Sequence, residues 1–139
     1  MRSIPLILLL AAAWPSSAAG AFELCGRWRS DAARTLPEME KSVRLTEKQR
    51  LLFRNDFFGK LVVETREKYS RAYFPDQSPE SVAWEPWQVV SRKGPVFQVS
   101  RLVAGELVLR EVRLDGNCYR VLIPELGFGE WFCRVPDAE

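Results

Sequence analysis

Residues 96–123 read VFQVSRLV AG ELVLREVRL DGN CYRVLI. Three runs rich in β-branched residues are separated only by Ala104-Gly105 and by Asp115-Gly116-Asn117. Runs of this length and composition form strands, and connections this short join antiparallel neighbours. Within Glu106–Leu114 the apolar residues change phase, Leu107 and Leu109 having one parity and Val112 and Leu114 the other. A β-bulge near Arg110-Glu111 is the expected cause, and a bulge also curves a sheet.

The same pattern extends in both directions. Upstream, Lys93-Gly94-Pro95 ends a strand over Trp87–Arg92, and Pro75–Pro86 is a loop rich in Pro, Ser and acids. Before the loop, Tyr69–Phe74 and Leu61–Thr65 flank the charged turn Arg66-Glu67-Lys68. Downstream, Pro124–Gly129 leads into a last strand over Glu130–Val135, and a first strand lies at Glu23–Ser30. The predicted fold is mainly β, an antiparallel up-and-down barrel of about eight strands with a helical insert after the first strand. In that insert, Pro37 and the acids of Leu36–Glu40 mark one helix start. Thr46 and Gln49 make a capping box for a second helix, running to about Phe57 and stopping at Gly59. Its apolar residues, Leu51, Leu52, Phe53, Phe57 and Phe58, go most of the way round, so cover on more than one face is expected.

The first 21 residues have a different character. Arg2 precedes an apolar run over Ile4–Ala13, Pro15 breaks it, and Ala19-Gly20-Ala21 supplies small residues. This is the layout of a secretory leader, too short in its apolar part to span a bilayer, with cleavage expected after Ala21 and Ala19 as the alternative. Phe22-Glu23-Leu24 before Cys25 argues against lipidation of that cysteine. The domain boundaries are therefore a leader over 1–21 and a single barrel domain over 22–139. The expected location is secreted or periplasmic, with no stable membrane insertion after cleavage.

Composition removes several functions. The 139 residues contain no histidine, which excludes Ser-His-Asp and Cys-His catalysis and a histidine-ligated zinc site. A net charge of +2, from 20 basic against 18 acidic residues, is too balanced for a dedicated nucleic-acid binder. Hydrophobic residues at 47% and charged residues at 27% are a globular balance. Three cysteines without a CxxC pair offer neither thiol-redox catalysis nor a cysteine-rich metal site. No metal and no cofactor is expected. Acidic residues are scattered, and no spacing isolates a general acid–base couple, so no catalytic residue is assigned.

Gly26-Arg27-Trp28 opens the first strand and Arg134 stands near the end of the last. In this arrangement the chain resembles the lipocalin and wider calycin barrels. The resemblance implies that Trp28 lies across a closed barrel end with Arg134 stacked over its ring, joining first strand to last. It also implies an interior that holds a small apolar ligand. With Trp28 and Arg134 inward, alternation turns Cys25 and Cys133 outward. A hairpin centred between Glu125 and Leu126 sets Cys118 opposite Cys133, making Cys118–Cys133 the preferred disulfide. Cys25–Cys133 is the alternative, and three buried thiols are the plain reading.

The candidate ligand-binding residues are Phe53 and Phe57 on a helical lid, Tyr69, Tyr73 and Tyr119 as hydroxyls in an apolar pocket, and Trp84 and Trp87 around Pro86. Each has an ordinary alternative, Trp87 as a core residue and the tyrosines as half-buried strand positions. Arg101, Arg110, Arg113 and Arg120 are either a head-group site inside the barrel or, preferred, an exterior face paired with Glu106 and Glu111. Glu64 is expected to face solvent. The expected function is that of an exported non-enzymatic protein binding a small apolar or amphipathic ligand. The alternative is an envelope interaction module, of the inhibitor or immunity type, that uses the Pro75–Trp87 surface, has no cavity and takes a secreted or envelope protein as partner.

Export predicts a processed chain. Denaturing mass spectrometry of the exported protein is expected to give an N-terminus at Phe22, with a mass lower by the two hydrogens lost to one disulfide. An intact Met1 in the exported fraction contradicts the leader assignment.

Overall fold

Chain reversals at Lys93–Val96, Val103–Glu106 and Asp115–Cys118 each take two residues, and they set the strand order. The computed structural model describes residues 22–136; the leader assigned to residues 1–21 lies outside them. Its strands are β1 (Gly26–Ser30), β2 (Val62–Thr65), β3 (Tyr69–Tyr73), β4 (Glu85–Lys93), β5 (Val96–Val103), β6 (Glu106–Asp115), β7 (Cys118–Ile123) and β8 (Phe128–Arg134). Helices α1 (Ala32–Lys41) and α2 (Glu47–Arg54) lie between β1 and β2, and a 3-10 turn spans Pro79–Ser81. The eight strands form one closed barrel in sequence order. Every neighbouring pair is antiparallel, and β1 closes on β8 with Trp28 opposite Arg134.

The expected bulge in β6 is absent. The β5–β6 ladder runs unbroken from Val96 opposite Arg113 to Val103 opposite Glu106. Leu107 and Leu109 simply face outward, 73% and 57% exposed, which accounts for the phase change in the sequence. The register shift lies instead in β4, between Val89 and Ser91. The first strand is shorter than expected, because residues 22–24 are helical. That turn brings the Leu24 carbonyl to 3.0 Å from the Trp28 indole N–H, which donates to it. β4 starts earlier than expected, since Glu85 and Pro86 already pair with Ser70 and Tyr69.

Helix α1 begins at Ala32 rather than at Leu36. Asp31 caps it by accepting from the Arg34 N–H at 2.9 Å, and Pro37 lies inside. Its inward face follows helical spacing: Ala32, Thr35, Leu36 and Met39 are buried or half-buried. Helix α2 has the expected capping box at Thr46 and Gln49 but ends at Arg54. Its cover is one-sided, since Phe53 is buried while Leu51 and Leu52 are exposed.

Two apolar clusters result. Inside the barrel are Trp28, Val63, Trp87, Phe97, Val99, Val112, Tyr119 and Phe132, with Leu24 at one end. The helices build a second cluster from Met39, Leu45, Phe53 and Phe58 around Phe128 of β8. On the barrel exterior, Glu38 of α1 accepts from the Trp131 indole and pairs with Arg120. Thr35 Oγ1 accepts the Trp131 backbone N–H at 2.9 Å, just beyond the last residue of β1 that pairs with β8. Cys118 and Cys133, opposite each other on β7 and β8, are joined in a disulfide with Cα atoms 4.0 Å apart. Cys25 is not part of it.

Trp28 is fully buried, and the Arg134 guanidinium stands 4.2 Å from its ring. Truncation to Trp28→Ala is expected to cost about 3–5 kcal/mol in urea unfolding. A loss under about 1 kcal/mol, the level of ordinary surface changes, contradicts a closing role for this ring.

Candidate functional site

Strand alternation decides what faces the barrel interior. On β5 the inward positions are Phe97, Val99, Arg101 and Val103; on β6 they are Val108, Arg110, Val112 and Leu114. Around Trp28 the interior is filled by aromatic rings, with Tyr119 edge-on to Trp28 at 4.6 Å and stacked on Phe132 at 5.4 Å. Further along the barrel a cavity of about 330 Å³ remains. Its walls are mostly apolar, with Val63, Val99, Val112 and Val121 beside the rings of Trp87, Tyr119 and Phe132. Val103 lines it too and is exposed at the β5–β6 turn, so the cavity reaches solvent beside that hairpin.

Against these apolar walls stand a few polar groups. Arg101 and Arg110 enter from adjacent strands, and Glu130 enters from β8. Among the described residues, the buried Nε of Arg101 has no hydrogen-bond partner. Arg110 is engaged, one nitrogen lying 3.5 Å from a Glu125 oxygen and another donating to the Leu109 carbonyl at 3.2 Å. Glu130 accepts from the Ser30 hydroxyl at 2.7 Å, and that hydroxyl accepts from the Gly59 N–H at 3.0 Å. Burial pushes the Glu130 carboxyl up, and the Ser30 bond only partly opposes it. Burial also pushes the Tyr119 hydroxyl far up, Arg101 pulling it down and Glu130 adding to the rise. The phenol is therefore a neutral hydrogen-bonding group in the cavity wall.

Of the candidate ligand residues, Trp87 and Tyr119 line this cavity. The Trp87 indole donates to the Arg66 carbonyl at 2.6 Å. Phe53 and Phe57 lie elsewhere: Phe53 packs on Phe58 and Phe128, and Phe57 is 46% exposed beside them. The expected aromatic lid thus packs on the helical cluster. Tyr69 is 49% exposed. Tyr73 is on the outer face, where its hydroxyl donates to Glu64. Glu64 is not a plain solvent-facing residue. Burial alone would raise its carboxyl, but hydrogen bonds from Tyr73 and Arg71, with the charges of Arg71 and Arg27, hold it below the usual range. The guanidinium groups of Arg66 and Arg71 stand 4.2 and 4.3 Å from the Trp84 ring.

The arginine set divides. Arg113 is exposed and Arg120 pairs with Glu38 on the exterior, whereas Arg101 and Arg110 face inward. The exterior reading fails for these two because the unbroken β5–β6 ladder gives them the parity of Val99 and Val112. That parity was present in the sequence, where Phe97, Val99, Arg101 and Val103 alternate with Gln98, Ser100 and Leu102. Glu130 had the same signal, since an inward Arg134 and an outward Cys133 give Glu130 and Phe132 the inward parity. Among the described residues, no cluster of Cys, Asp and Glu has the makings of a metal site, and no helix is long and apolar enough to cross a membrane. Comparison with protein-family models, curated proteins and solved structures found no match.

A raised carboxyl binds its proton more strongly in the folded than in the unfolded chain. Stability must then fall as pH rises from the ordinary carboxylate value through the raised one. Glu130→Gln keeps an acceptor for Ser30 and removes the buried charge. It is expected to melt above the parent protein at pH 7, with the gap closing below pH ~4. A pH-independent gap contradicts this account.

Proposed function

We propose that the protein is an exported, non-enzymatic carrier that holds a small amphipathic molecule inside its barrel. The observation that carries this reading is the 330 Å³ cavity, apolar in its walls and provided with a few convergent polar groups. Its volume is at the low end of the ~300–1,000 Å³ usual for small-molecule sites. At about 30 Å³ per water-sized group it takes on the order of ten non-hydrogen atoms. The stacking of Arg134 on Trp28 across β1 and β8 supports a lipocalin-like kinship. The Cys118–Cys133 disulfide supports a secreted or periplasmic location, because such bonds persist in oxidising compartments.

A second reading, an envelope interaction module, draws on a different observation. Leu107, Leu109 and Val90 are exposed apolar side chains on β6 and β4. The Pro75–Trp87 loop supports it less, since Trp84 is half-buried and its ring is engaged by two arginines of the same chain.

Native mass spectrometry of the exported protein, beside a denatured run, tests the carrier reading. The expected result is an adduct lost on denaturation, together with uptake of the uncharged probe 1-decanol followed by Trp87 fluorescence. Val121→Trp, which fills the cavity, is expected to abolish both. A bare native mass with no decanol uptake overturns the carrier reading and favours the interaction module.

A further inference from the structure

We propose that the ligand carries an anionic head group, a carboxylate or phosphate oxyanion, and that Arg101 is the residue that anchors it inside the barrel. This rests on the carrier reading and specifies the class of molecule carried.

Burying any part of a charged group carries a cost. An ionised group removed from water is strongly disfavoured unless a partner replaces the lost hydration. Arginine offers five N–H donors and does not lose its proton in proteins, so it cannot escape that cost by neutralisation. The strand ladder places Arg101 opposite Val108, on the cavity wall between Val99 and Val103. Its Nε is buried with no acceptor among the described residues, while the residue as a whole is half-buried.

The other charges of the cavity do not supply the missing partner. Glu130 accepts from the Ser30 hydroxyl rather than from a guanidinium. Glu125, an exposed residue of the β7–β8 turn, pairs with Arg110 instead. Tyr119 presents a neutral hydroxyl. The cavity therefore offers two guanidinium groups on adjacent strands, and the one without an acceptor lacks a negatively charged group. An oxyanion at Arg101, with its apolar tail along Val63, Val112 and Val121, satisfies both the charge and the apolar walls. A purely apolar molecule leaves the buried Nε without an acceptor, and a cationic one adds repulsion.

The test uses the mature protein and four decyl probes at submicellar concentration: decanoate, decyl phosphate, 1-decanol and decylamine. Binding is read by isothermal titration and by native mass spectrometry. The parent protein is expected to bind decanoate or decyl phosphate about tenfold or more tightly than decanol, the effect of one charge-assisted hydrogen bond, and to reject decylamine. Which of the two anions is preferred identifies the head group. Arg101→Gln is expected to erase the preference for the anion while leaving decanol binding in place, and Arg101→Lys to restore part of it. Arg113→Gln, an exposed change of the same net charge, is expected to leave the preference intact. Retained far-UV circular dichroism and an unchanged or raised melting temperature show that Arg101→Gln still folds. Equal binding of decanol and the anions, or an undiminished preference in Arg101→Gln, overturns the head-group assignment while the carrier reading stands. Failure of every probe to bind overturns the carrier reading, and the assignment with it.

Discussion

Closure of the sheet depends on the contact between Trp28 and Arg134. A sheet with unpaired edges exposes rows of backbone donors and acceptors, and only full closure removes both edges. Here β1 and β8 meet with Trp28 directly opposite Arg134. The ring is fully buried, and the guanidinium above it donates at 2.9 Å to the carbonyls of both Glu23 and Cys25. Gly26 is required at this corner. Its φ is +131°, and a Cβ there would stand 2.7 Å from an Arg134 nitrogen. The Gly-x-Trp triplet is thus a steric consequence of the stack, which any larger residue at position 26 would displace.

That closed end determines where empty space is left. Trp28, Phe97, Tyr119 and Phe132 pack into one another, and Leu24 fills the end beneath the indole. The cavity lies beside these rings, between Trp87, Tyr119 and Phe132 on one part of its wall and Val63, Val99, Val112 and Val121 on the rest. The helices take no part in lining it. They bury their apolar residues around Phe128 and are fastened to the outer wall through Glu38, Arg120 and Trp131. Gly129 permits this close packing, since a Cβ there would stand 2.5 Å from the Arg120 side chain.

Charge then gives the cavity its character. Arg101 and Arg110 face the interior from neighbouring strands, while Glu130 accepts from the Ser30 hydroxyl. On the outer wall the opposite solution is seen: Glu64 is surrounded by Tyr73, Arg71 and Arg27, and every charge has a partner. The exterior network is satisfied, whereas inside the barrel the buried Nε of Arg101 has no acceptor among the described residues.

Much of the architecture was legible in the residue pattern. Short turns and period-two runs specify antiparallel neighbours, the Thr46 capping box specifies α2, and equal spacing about the β7–β8 turn sets Cys118 opposite Cys133. Inward placement of Arg101 was also present as parity in β5, whereas that of Arg110 was obscured because the outward Leu107 and Leu109 imitated a bulge in β6. Other features were settled only by assembly. Whether Phe53 covers the barrel mouth or packs beside it depends on where α1 and α2 dock, through contacts such as Glu38 with Arg120, far apart in sequence. Whether an interior space survives depends on how the rings near Trp28 interlock. Local residue order determines hydrogen-bond periodicity and turn geometry, because these involve neighbours along the chain. Cavity volume and the solvation of a buried charge depend on the summed contacts of many distant side chains, which exist only once the barrel has closed.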